Sequence, residues 1–249
     1  MQIVKVVFIY TLSDPGKLFM VCNMDESEDF MDPLILFSQP EYDIYNVNKE
    51  GLYAIGGNVS VDLLLKSYKW GIFPWFPFRD SENPQWYCPR QRFVIFPEKI
   101  HIGHSLRNLL NKNKYHITIN REFRKVIHYC RKVNERDENE MAWLGDSIEK
   151  LFIELHELGY AKSVELWEED NLVGGFYGFW NKGVFQGESM FSLRPSASQI
   201  ALILFCRDNK VEGKKIKFID TQFETPTFKK LGGEYISYED YRDLLDAEE

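Results

Sequence analysis

The feature that most constrains the fold of this chain is a run of three strand-length segments in its second half. They cover Ala161–Glu168, Leu172–Trp180 and Gly183–Phe191. Asp170-Asn171 separates the first two segments, and Asn181-Lys182-Gly183 separates the last two. Short connections of this composition are typical of β-hairpin turns. The sequence therefore predicts an antiparallel meander of three strands.

Helices and further strands are expected on both sides of the meander. Ile148, Leu151, Phe152 and Leu155 follow a helical period, and Gly159 ends it. The other expected helices cover residues 61–70, 104–111, 121–131, 196–207 and 225–231, and the other expected strands cover residues 92–97, 115–119 and 215–221. This order of elements indicates an α+β fold with a sheet splayed around a ligand. A length of 249 residues fits one large domain, or a small domain followed by a medium one.

The third strand of the meander carries a carboxylate, Glu188, within the apolar stretch Phe185–Ser192. A buried carboxylate is unfavourable unless a hydrogen-bond donor or a ligand meets it. The adjacent Gly187 lets another backbone or a ligand come close. These features are compatible with a functional site, and the downstream stretch Lys217–Phe223 is what favours it over the alternative. The alternative is an edge-strand glutamate that faces water.

A second polar cluster ends the short apolar run Lys217–Phe223, which contains Asp220 and Gln222. In a strand, residues two positions apart point to the same face. We therefore expect Asp220 and Gln222 to meet one ligand together, near Glu188. The alternative for Asp220 is an aspartate that only caps a turn at the end of a strand.

Residues 68–87 contain eight aromatic side chains, interrupted by Pro74, Pro77 and Pro84. Three prolines exclude a regular helix or a central strand, so an irregular loop is predicted. Such a loop can fill the junction between two domains. It can also offer a stacking platform for unpaired RNA bases, and both roles are compatible.

The charge of the chain is unevenly distributed. The net charge is −8, but residues 99–136 hold ten Lys or Arg against two acids, so this segment is +8 and the remainder is −16. A basic segment on an acidic body indicates a polyanion-binding face. The alternative is a pair of solvated amphipathic helices that have no partner.

The remaining composition points to a cytoplasmic protein that does not cross a membrane. No stretch reaches the ~18 consecutive apolar residues of a membrane helix, and the first twelve residues do not end in a small-residue cleavage site. The four cysteines form no Cys-x-x-Cys pair, so their spacing suits neither a zinc site nor a disulfide framework. We expect reduced thiols and no metal.

Six motifs resemble the leucyl/phenylalanyl-tRNA–protein transferases of bacteria. They are Ala54–Gly57, Tyr68–Phe76, His156–Ala161, Val173–Gly178, Gly187–Ser192 and Ile219–Gln222. They occur in the family order across roughly residues 50–245, whereas the first fifty residues match poorly. The chain departs from the family at Thr221, where a cysteine is frequent, and at Thr225-Pro226-Thr227, where the family has Asn-Asp-His.

The resemblance implies an aminoacyltransferase that needs no cofactor and uses aminoacyl-tRNA as donor. Such an enzyme transfers Leu, Phe or, less readily, Met to the N-terminal Arg or Lys of acceptor proteins and marks them for N-end-rule degradation. A monomer is expected. The implied architecture is a small N-terminal α/β domain, residues 1–90, followed by a Gcn5-related acyltransferase-like (GNAT-like) catalytic domain, residues 91–249. Residues 1–50 would be a poorly matched extension and residues 68–87 the aromatic-rich junction. Ser192–Ser196 stands where coenzyme A-dependent relatives carry a phosphate-binding glycine loop.

Asp220, Gln222 and Glu188 are the expected catalytic residues. Our hypothesis is that Gln222 takes a hydrogen bond from the attacking amine while Asp220 supplies negative charge; a proton shuttle through the ribose hydroxyl is the alternative. Glu188 would accept from the α-amino group of the donor. The resemblance further implies that Tyr68, Trp75 and Trp143 hold the terminal adenosine, and that Phe176, Met190, Leu202 and Ile219 line the pocket for the Leu or Phe side chain. Judged from the sequence alone, ordinary core residues are the favoured interpretation of the last four.

Three other functions are compatible with parts of the sequence. Transfer to a non-protein amine, such as a cell-wall peptide precursor, would use the same donor. A non-catalytic RNA-binding module would not need Asp220, Gln222 and Glu188 together. A coenzyme A acyltransferase is disfavoured because the phosphate-binding loop is missing.

Overall fold

The computed structural model describes residues 51–75, 84–135 and 144–247, together with the backbone of two short strands near the start; for residues 133–135 it describes only the backbone. The two early strands, β1 (Lys5–Phe8) and β2 (Phe19–Cys22), pair antiparallel. In the described part of the chain, no helix is both long enough and apolar enough to cross a membrane.

A three-stranded antiparallel sheet is built from residues 52–87. It consists of β3 (Leu52–Ile55), β4 (Phe73–Trp75) and β5 (Gln85–Tyr87), with β5 in the middle. Helix α1 (Val61–Tyr68) connects β3 to β4, and the hydroxyl of Ser60 accepts from the backbone N–H of Leu63 at its start. This is the N-cap that the sequence predicts, although the helix ends two residues earlier than expected.

The prediction of an irregular loop over residues 68–87 is wrong for the two strand segments β4 and β5. Pro74 lies in β4, which is an edge strand, the position in a sheet where a residue without a backbone N–H is tolerated. The prolines therefore do not abolish these strands, each of which is three residues long. Residues 76–83 lie outside the described part.

The main sheet has seven strands in the order β14-β6-β13-β10-β9-β8-β7. These strands are β6 (Gln91–Ile95), β7 (Tyr115–Ile119), β8 (Ala161–Glu168), β9 (Asn171–Asn181), β10 (Val184–Ser192), β13 (Phe218–Asp220) and β14 (Glu234–Ser237). The predicted antiparallel meander is confirmed as β8, β9 and β10. Strands β10 and β13 are the one parallel pair of neighbours described in this sheet.

Six more helices and a small hairpin surround the main sheet. The helices are α2 (His104–Leu110), α3 (Phe123–Glu135), α4 (Asp146–Glu157), α5 (Ala197–Asp208), α6 (Pro226–Lys230) and α7 (Tyr238–Asp246). A 3₁₀ turn covers Pro97–Lys99, and β11 (Lys210–Val211) pairs with β12 (Lys214–Lys215). Several mostly antiparallel sheets combined with helices fit the predicted α+β class.

The main sheet has an apolar core on each face. On one face Phe152, Tyr177 and Phe218 are buried together with side chains of α1 and α7. On the other face Phe176 and Ile219 are buried with side chains of α5. Neighbouring residues such as Phe218 and Ile219 thus belong to opposite cores, as the alternation of a strand requires.

A buried carboxylate anchors the start of helix α3. Glu165 on β8 is fully buried and accepts from the hydroxyls of Thr118 (2.6 Å) and Ser163 (2.5 Å). It also accepts from the backbone N–H groups of Arg121 and Glu122, which directly precede the helix. One side chain therefore accepts from four donors, and two of these are backbone N–H groups at the helix start that no intrahelical carbonyl can reach.

Replacing Glu165 with alanine is expected to lower the free energy of unfolding by about 3 kcal/mol, because buried donors lose their acceptor. Urea unfolding of the variant and of the wild type measures this difference. Glu154→Ala, an exposed position on α4, is the matched control and should change stability by less than about 0.5 kcal/mol. Equal stabilities for Glu165→Ala and the control would contradict the anchoring role.

Candidate active site

Glu188 lies at an irregularity of strand β10. Gly187 pairs with Gly178 and Ser189 pairs with Tyr177, so Glu188 is the extra residue of a β-bulge. Bulges turn one side chain away from the regular alternation of a strand. The apolar pattern of the sequence indicates a strand but does not show the bulge. The side chain of Glu188 is therefore aimed by the local backbone.

The adjacent glycine allows a close backbone approach. A Cβ atom at Gly187 would lie 3.3 Å from the carbonyl oxygen of Asp220 on the parallel strand β13. The β10–β13 pairing ends at Gln186 and Asp220. Beyond this point the two strands are no longer paired. We call the place where they part, after Gln186 and Asp220, the opening, and Glu188 and Gln222 come from its two sides.

Two side chains donate to the same oxygen of Glu188. The hydroxyl of Tyr68 donates to Oε1 at 2.7 Å, and Nε2 of Gln222 donates to it at 3.1 Å. Tyr68 is the last residue of α1, and Gln222 follows β13. Glu188 therefore joins three segments that are distant in sequence.

The environment of Glu188 raises the pKa of its carboxyl towards neutral pH. Burial raises the pKa of this carboxyl to about 8, although the hydrogen bonds from Tyr68 and Gln222 favour the charged form. The nearby Asp220 adds to the increase, and Arg92 opposes it. A carboxyl of this kind can hold or release a proton close to neutral pH.

This shift predicts a pH dependence of stability. The pKa of Glu188 is about 8 in the folded chain and near its ordinary value of 4.5 in the unfolded chain. Between these values the folded state binds more protons than the unfolded state, so the free energy of unfolding falls as the pH rises through this window. Urea unfolding at a series of pH values should show that Glu188→Gln gains stability relative to the wild type as the pH rises. Parallel curves for the two proteins would refute the shift.

Gln222 does not continue strand β13, which ends at Asp220. Its φ of 65° places it in the left-handed region, an uncommon conformation for a residue with a side chain. The expectation that Asp220 and Gln222 share a face because a strand runs through both is therefore wrong. They are linked differently, because Oδ1 of Asp220 accepts from the backbone N–H of Gln222 at 2.8 Å. This bond holds the turn that directs the Gln222 amide towards Glu188.

Asp220 is buried behind this turn, with only 1% of its surface exposed. Its Oδ2 accepts from the hydroxyl of Tyr241 at 3.0 Å and lies 3.4 Å from Nε of Arg92. Burial raises the pKa of Asp220, while the charge of Arg92 is the largest influence in the opposite direction. Asp220 can thus influence Gln222 through the hydrogen bond to its backbone N–H, but its own carboxylate is not exposed to solvent.

Sequence reasoning missed Arg92 and Tyr241. The indication for Arg92 was present, because it stands in the apolar run Arg92–Phe96 just as Glu188 stands in its own apolar run. A buried arginine in a strand requires a partner for the same reason that a buried carboxylate does. No pattern in the sequence links Tyr241 to Asp220.

The predicted adenosine-binding aromatics differ in their surroundings. Tyr68 is fully buried, and its ring stacks on Phe179 at 4.5 Å, so its contact with the site is made by its hydroxyl. Trp75 is half-buried and packs against Tyr87 and Phe223, with ring centroids 5.9 Å and 5.5 Å away. Trp143 lies outside the described residues.

The four predicted pocket residues belong to one apolar cluster on the α5 face of the sheet. Phe176, Leu202 and Ile219 are nearly fully buried, and Met190 is half-buried at the edge of the cluster. Met190 follows Glu188 by two residues on β10, so the cluster lies close to the bulge. Their role in binding a substrate side chain stays a prediction, since ordinary core residues pack in the same way.

The described residues contain no group of three or more His, Cys, Asp or Glu side chains arranged to hold a metal ion. Cys88, Cys130 and Cys206 are buried free thiols. Burial raises the pKa of Cys88 to about 11, so this thiol stays protonated at neutral pH.

The basic segment is partly neutralised by neighbouring acids. Ion pairs join Lys99 to Glu234, Lys114 to Glu168, Lys125 to Glu122, Arg124 to Glu157 and Arg131 to both Asp146 and Glu149. Most of these acids come from outside residues 99–136. The net charge counted along the sequence therefore overstates the positive charge that this surface presents to a polyanion.

Comparisons with known proteins agree on one family. The family description "Leucyl/phenylalanyl-tRNA protein transferase" matches residues 94–246, and the description of its N-terminal domain matches residues 57–90. A protein named leucyl/phenylalanyl-tRNA–protein transferase from Hydrogenovibrio crunogenus is 38% identical over 80% of this chain and 76% of its own length. One with the same name from Klebsiella pneumoniae is 40% identical over 85% of this chain and 86% of its own length.

Solved structures also align with part of this chain. A conserved protein of unknown function from Bacteroides thetaiotaomicron aligns with 59% of this chain and 58% of its own, at 15% identity and a TM-score of 0.39. A likeness this weak carries no argument about fold or function.

Proposed function

This chain belongs to the leucyl/phenylalanyl-tRNA protein transferase family, and we propose that it transfers leucine or phenylalanine from aminoacyl-tRNA to the N-terminus of a protein. The observation that carries this proposal is the hydrogen-bonded group of Glu188, Gln222 and Asp220. It lies inside the region that matches the family, at the opening between β10 and β13.

The reaction is the aminolysis of an ester. The neutral N-terminal amine of the acceptor forms a bond to the carbonyl carbon of the aminoacyl group, and the bond from that carbon to the ribose oxygen breaks. The proton lost by the amine ends on the ribose oxygen. Because the ester is already activated, the protein chiefly has to align the two reactants and guide this proton.

Gln222 is the proposed partner of the attacking amine. Its Nε2 donates to Glu188, which leaves the amide oxygen directed away from that carboxyl and able to accept from the amine. Asp220 supports this role from behind, because its carboxylate accepts from the backbone N–H of Gln222. A glutamine is a weak base, so a proton path through the neighbouring ribose hydroxyl is compatible with this arrangement.

Glu188 is the proposed recognition group for the α-amino group of the donor. An ionised carboxylate facing an ammonium forms a charge-assisted hydrogen bond. A pKa near 8 means that binding of this cation would draw Glu188 into its charged form. A donor with an acylated amino group has no positive charge to offer and would be rejected.

The amino-acid side chain is proposed to enter the cluster around Phe176, Met190, Leu202 and Ile219. Methionine adapts to guests of different shape, which suits both Leu and Phe. An apolar pocket of this type discriminates by ~1–3 kcal/mol per methylene group, so Met should also be accepted, less readily. Trp75 and Trp143 remain the proposed contacts of the terminal adenosine, whereas Tyr68 is proposed to act by orienting Glu188.

Further features of the reaction follow from the family resemblance and are part of this proposal. The acceptors are proteins that begin with Arg or Lys, their modification marks them for N-end-rule degradation, and the enzyme works as a monomer in the cytoplasm, where charged tRNA is present. The proposed architecture is a domain of residues 1–90 followed by a GNAT-like domain of residues 91–249. The parting of the parallel strands β10 and β13 after Gln186 and Asp220 supports this assignment.

A transfer assay tests the proposed function. The purified chain is mixed with tRNA carrying radiolabelled Leu and with a protein that begins with Arg, and the label is followed into the protein fraction. The same protein beginning with Gly is the matched acceptor control. Label in the Arg protein alone supports the proposal. Label that enters only a small amine would favour a non-protein acceptor, and binding of tRNA without any transfer would favour an RNA-binding module.

A further inference from the structure

Arg92 occupies an unusual position at the centre of the fold. It is fully buried in β6, and its guanidinium lies between the rings of Phe73, at 5.0 Å, and Tyr241, at 4.7 Å. Both distances are within the range of favourable cation–π contacts. A buried arginine is retained at a large desolvation penalty, so its partners indicate its role.

One guanidinium contacts two separate parts of the site. Its Nε lies 3.4 Å from Oδ2 of Asp220, and its NH2 group donates to the carbonyl oxygen of Gly71. Asp220 leads to Gln222, and Gly71 belongs to the turn that follows Tyr68, the residue that donates to Glu188. Arg92 therefore connects two series of contacts. One runs through Asp220 to Gln222, and the other runs through Gly71 and Tyr68 to Glu188.

The turn formed by residues 68–71, here called the Gly71 turn, leaves room for the guanidinium of Arg92. Gly71 has a φ of 70°, and a Cβ atom there would lie 2.4 Å from Cε1 of Tyr241 and 2.9 Å from NH2 of Arg92. The three preceding carbonyls, those of residues 68–70, accept from Gln186, Arg242 and Tyr238. The turn is thus fastened to the main sheet and to α7 through several consecutive carbonyl groups.

We propose that Arg92, assisted by Tyr241, is a positioning residue that holds Asp220 and the Gly71 turn in one arrangement and so aligns Gln222 with Glu188. This inference rests on the proposed function and deepens it. Arg92 itself does not touch a reactant, because it acts through Asp220 and through Tyr68.

The charges around Asp220 explain why Arg92 matters for its protonation. Asp220 is faced by Arg92 from β6, by Tyr241 from α7, by Glu188 from β10 and by Tyr68 from α1, while Cys88 lies just before β6. Among these groups Arg92 provides the positive charge. Without it, burial would raise the pKa of Asp220 further and favour the neutral acid. A neutral Asp220 would no longer supply negative charge to Gln222.

The test compares wild type, Arg92→Gln, Asp220→Asn and the double variant in the transfer assay across pH. We expect Arg92→Gln to lower kcat about 100-fold at neutral pH, with KM for aminoacyl-tRNA unchanged. Its kcat should recover as the pH rises, because Asp220 then ionises. In the Asp220→Asn background Arg92→Gln should have little further effect and no such recovery. Arg92→Lys, which keeps the charge, should restore part of the rate.

Arg242→Gln is the matched control. Arg242 also bonds a carbonyl of the turn, that of Lys69, but its guanidinium lies over Trp70 rather than beside Asp220. It should keep the wild-type shape of the pH profile. A wild-type profile in Arg92→Gln, or effects of Arg92→Gln and Asp220→Asn on kcat that simply multiply, would overturn the proposal.

A second measurement is independent of activity. A carbon-13 NMR titration of the Asp220 carboxyl should find it ionised at neutral pH in the wild type and protonated at the same pH in Arg92→Gln. If Arg92→Gln does not fold, Tyr241→Phe, which removes only the hydroxyl, should shift the titration in the same direction by a smaller amount. Unchanged titrations overturn the inference. A wild-type protein that titrates as expected but transfers nothing would instead refute the proposed function.

Discussion

Replacing Gln222 with alanine lowers kcat for transfer of Leu from aminoacyl-tRNA by about 100-fold, a loss typical of removing a group that guides a proton. KM for aminoacyl-tRNA stays close to that of the wild type, because the contacts of Gln222 are expected to tighten in the transition state. Single-turnover transfer to an Arg-starting peptide measures the rate of the chemical step. Folding is checked by urea unfolding of the same preparation.

The position of Gln222 makes this prediction specific. It is held in a left-handed turn by Asp220 and directed at Glu188, so the position of its amide is set by the turn. Gln199→Ala, on helix α5, is the matched control and should keep the wild-type rate. A Gln222→Ala rate within about threefold of the wild type would exclude Gln222 from proton transfer.

Replacing Glu188 with glutamine lowers transfer from Leu-tRNA by about 10- to 100-fold, the value of a charge-assisted hydrogen bond. The substitution keeps the shape of the side chain and removes its negative charge. The wild type should also discriminate strongly against N-acetyl-Leu-tRNA, whereas Glu188→Gln should use the blocked and the free donor at similar rates. Competition between the two donors in one reaction measures this ratio.

The matched control for Glu188 is Glu154→Gln, an exposed glutamate on α4 that lies in a different part of the fold. It should retain both the rate and the discrimination of the wild type. If wild-type enzyme transfers N-acetyl-Leu as readily as Leu, Glu188 does not read the α-amino group and another role must be found for it.

The sequence predicts the parts of this fold that depend on local patterns. The meander β8–β9–β10 follows from apolar alternation and hairpin turns, and α1 follows from its cap at Ser60. The start of α3 is less well predicted, because Glu165 on β8, distant in sequence, satisfies the donors at its N-terminus. A contact between residues distant in sequence cannot be predicted from a short segment of the sequence.

The geometry of the site is harder to predict than its residue types. Glu188, Asp220 and Gln222 stand out because polar groups interrupt apolar runs. Their arrangement depends on the β-bulge at Glu188 and on the left-handed conformation of Gln222 after the strand. Neither feature produces a periodic pattern of apolar residues in the sequence. Strand alternation therefore does not explain why Asp220 and Gln222 lie together. A hydrogen bond from the Gln222 backbone to the Asp220 carboxylate connects them.

Tyr68 illustrates a further limit of motif reasoning. A motif identifies the residue but not the part of it that functions. Its ring stacks on Phe179 within the core, and its hydroxyl reaches Glu188 at 2.7 Å. Tyr68→Phe would preserve the stack and remove only the hydrogen bond, so it separates the two contributions.

We propose that one opening between β10 and β13 holds the aminoacyl end of the donor. A crystal structure of this chain with a non-hydrolysable phenylalanyl-adenosine amide would show whether it does. We expect the α-amino group within about 2.6–3.2 Å of a Glu188 carboxylate oxygen, the carbonyl carbon beside the Gln222 amide, and the phenyl ring among Phe176, Met190 and Leu202. An analogue bound on another surface, or an opening filled by packed side chains in the complex, would contradict it.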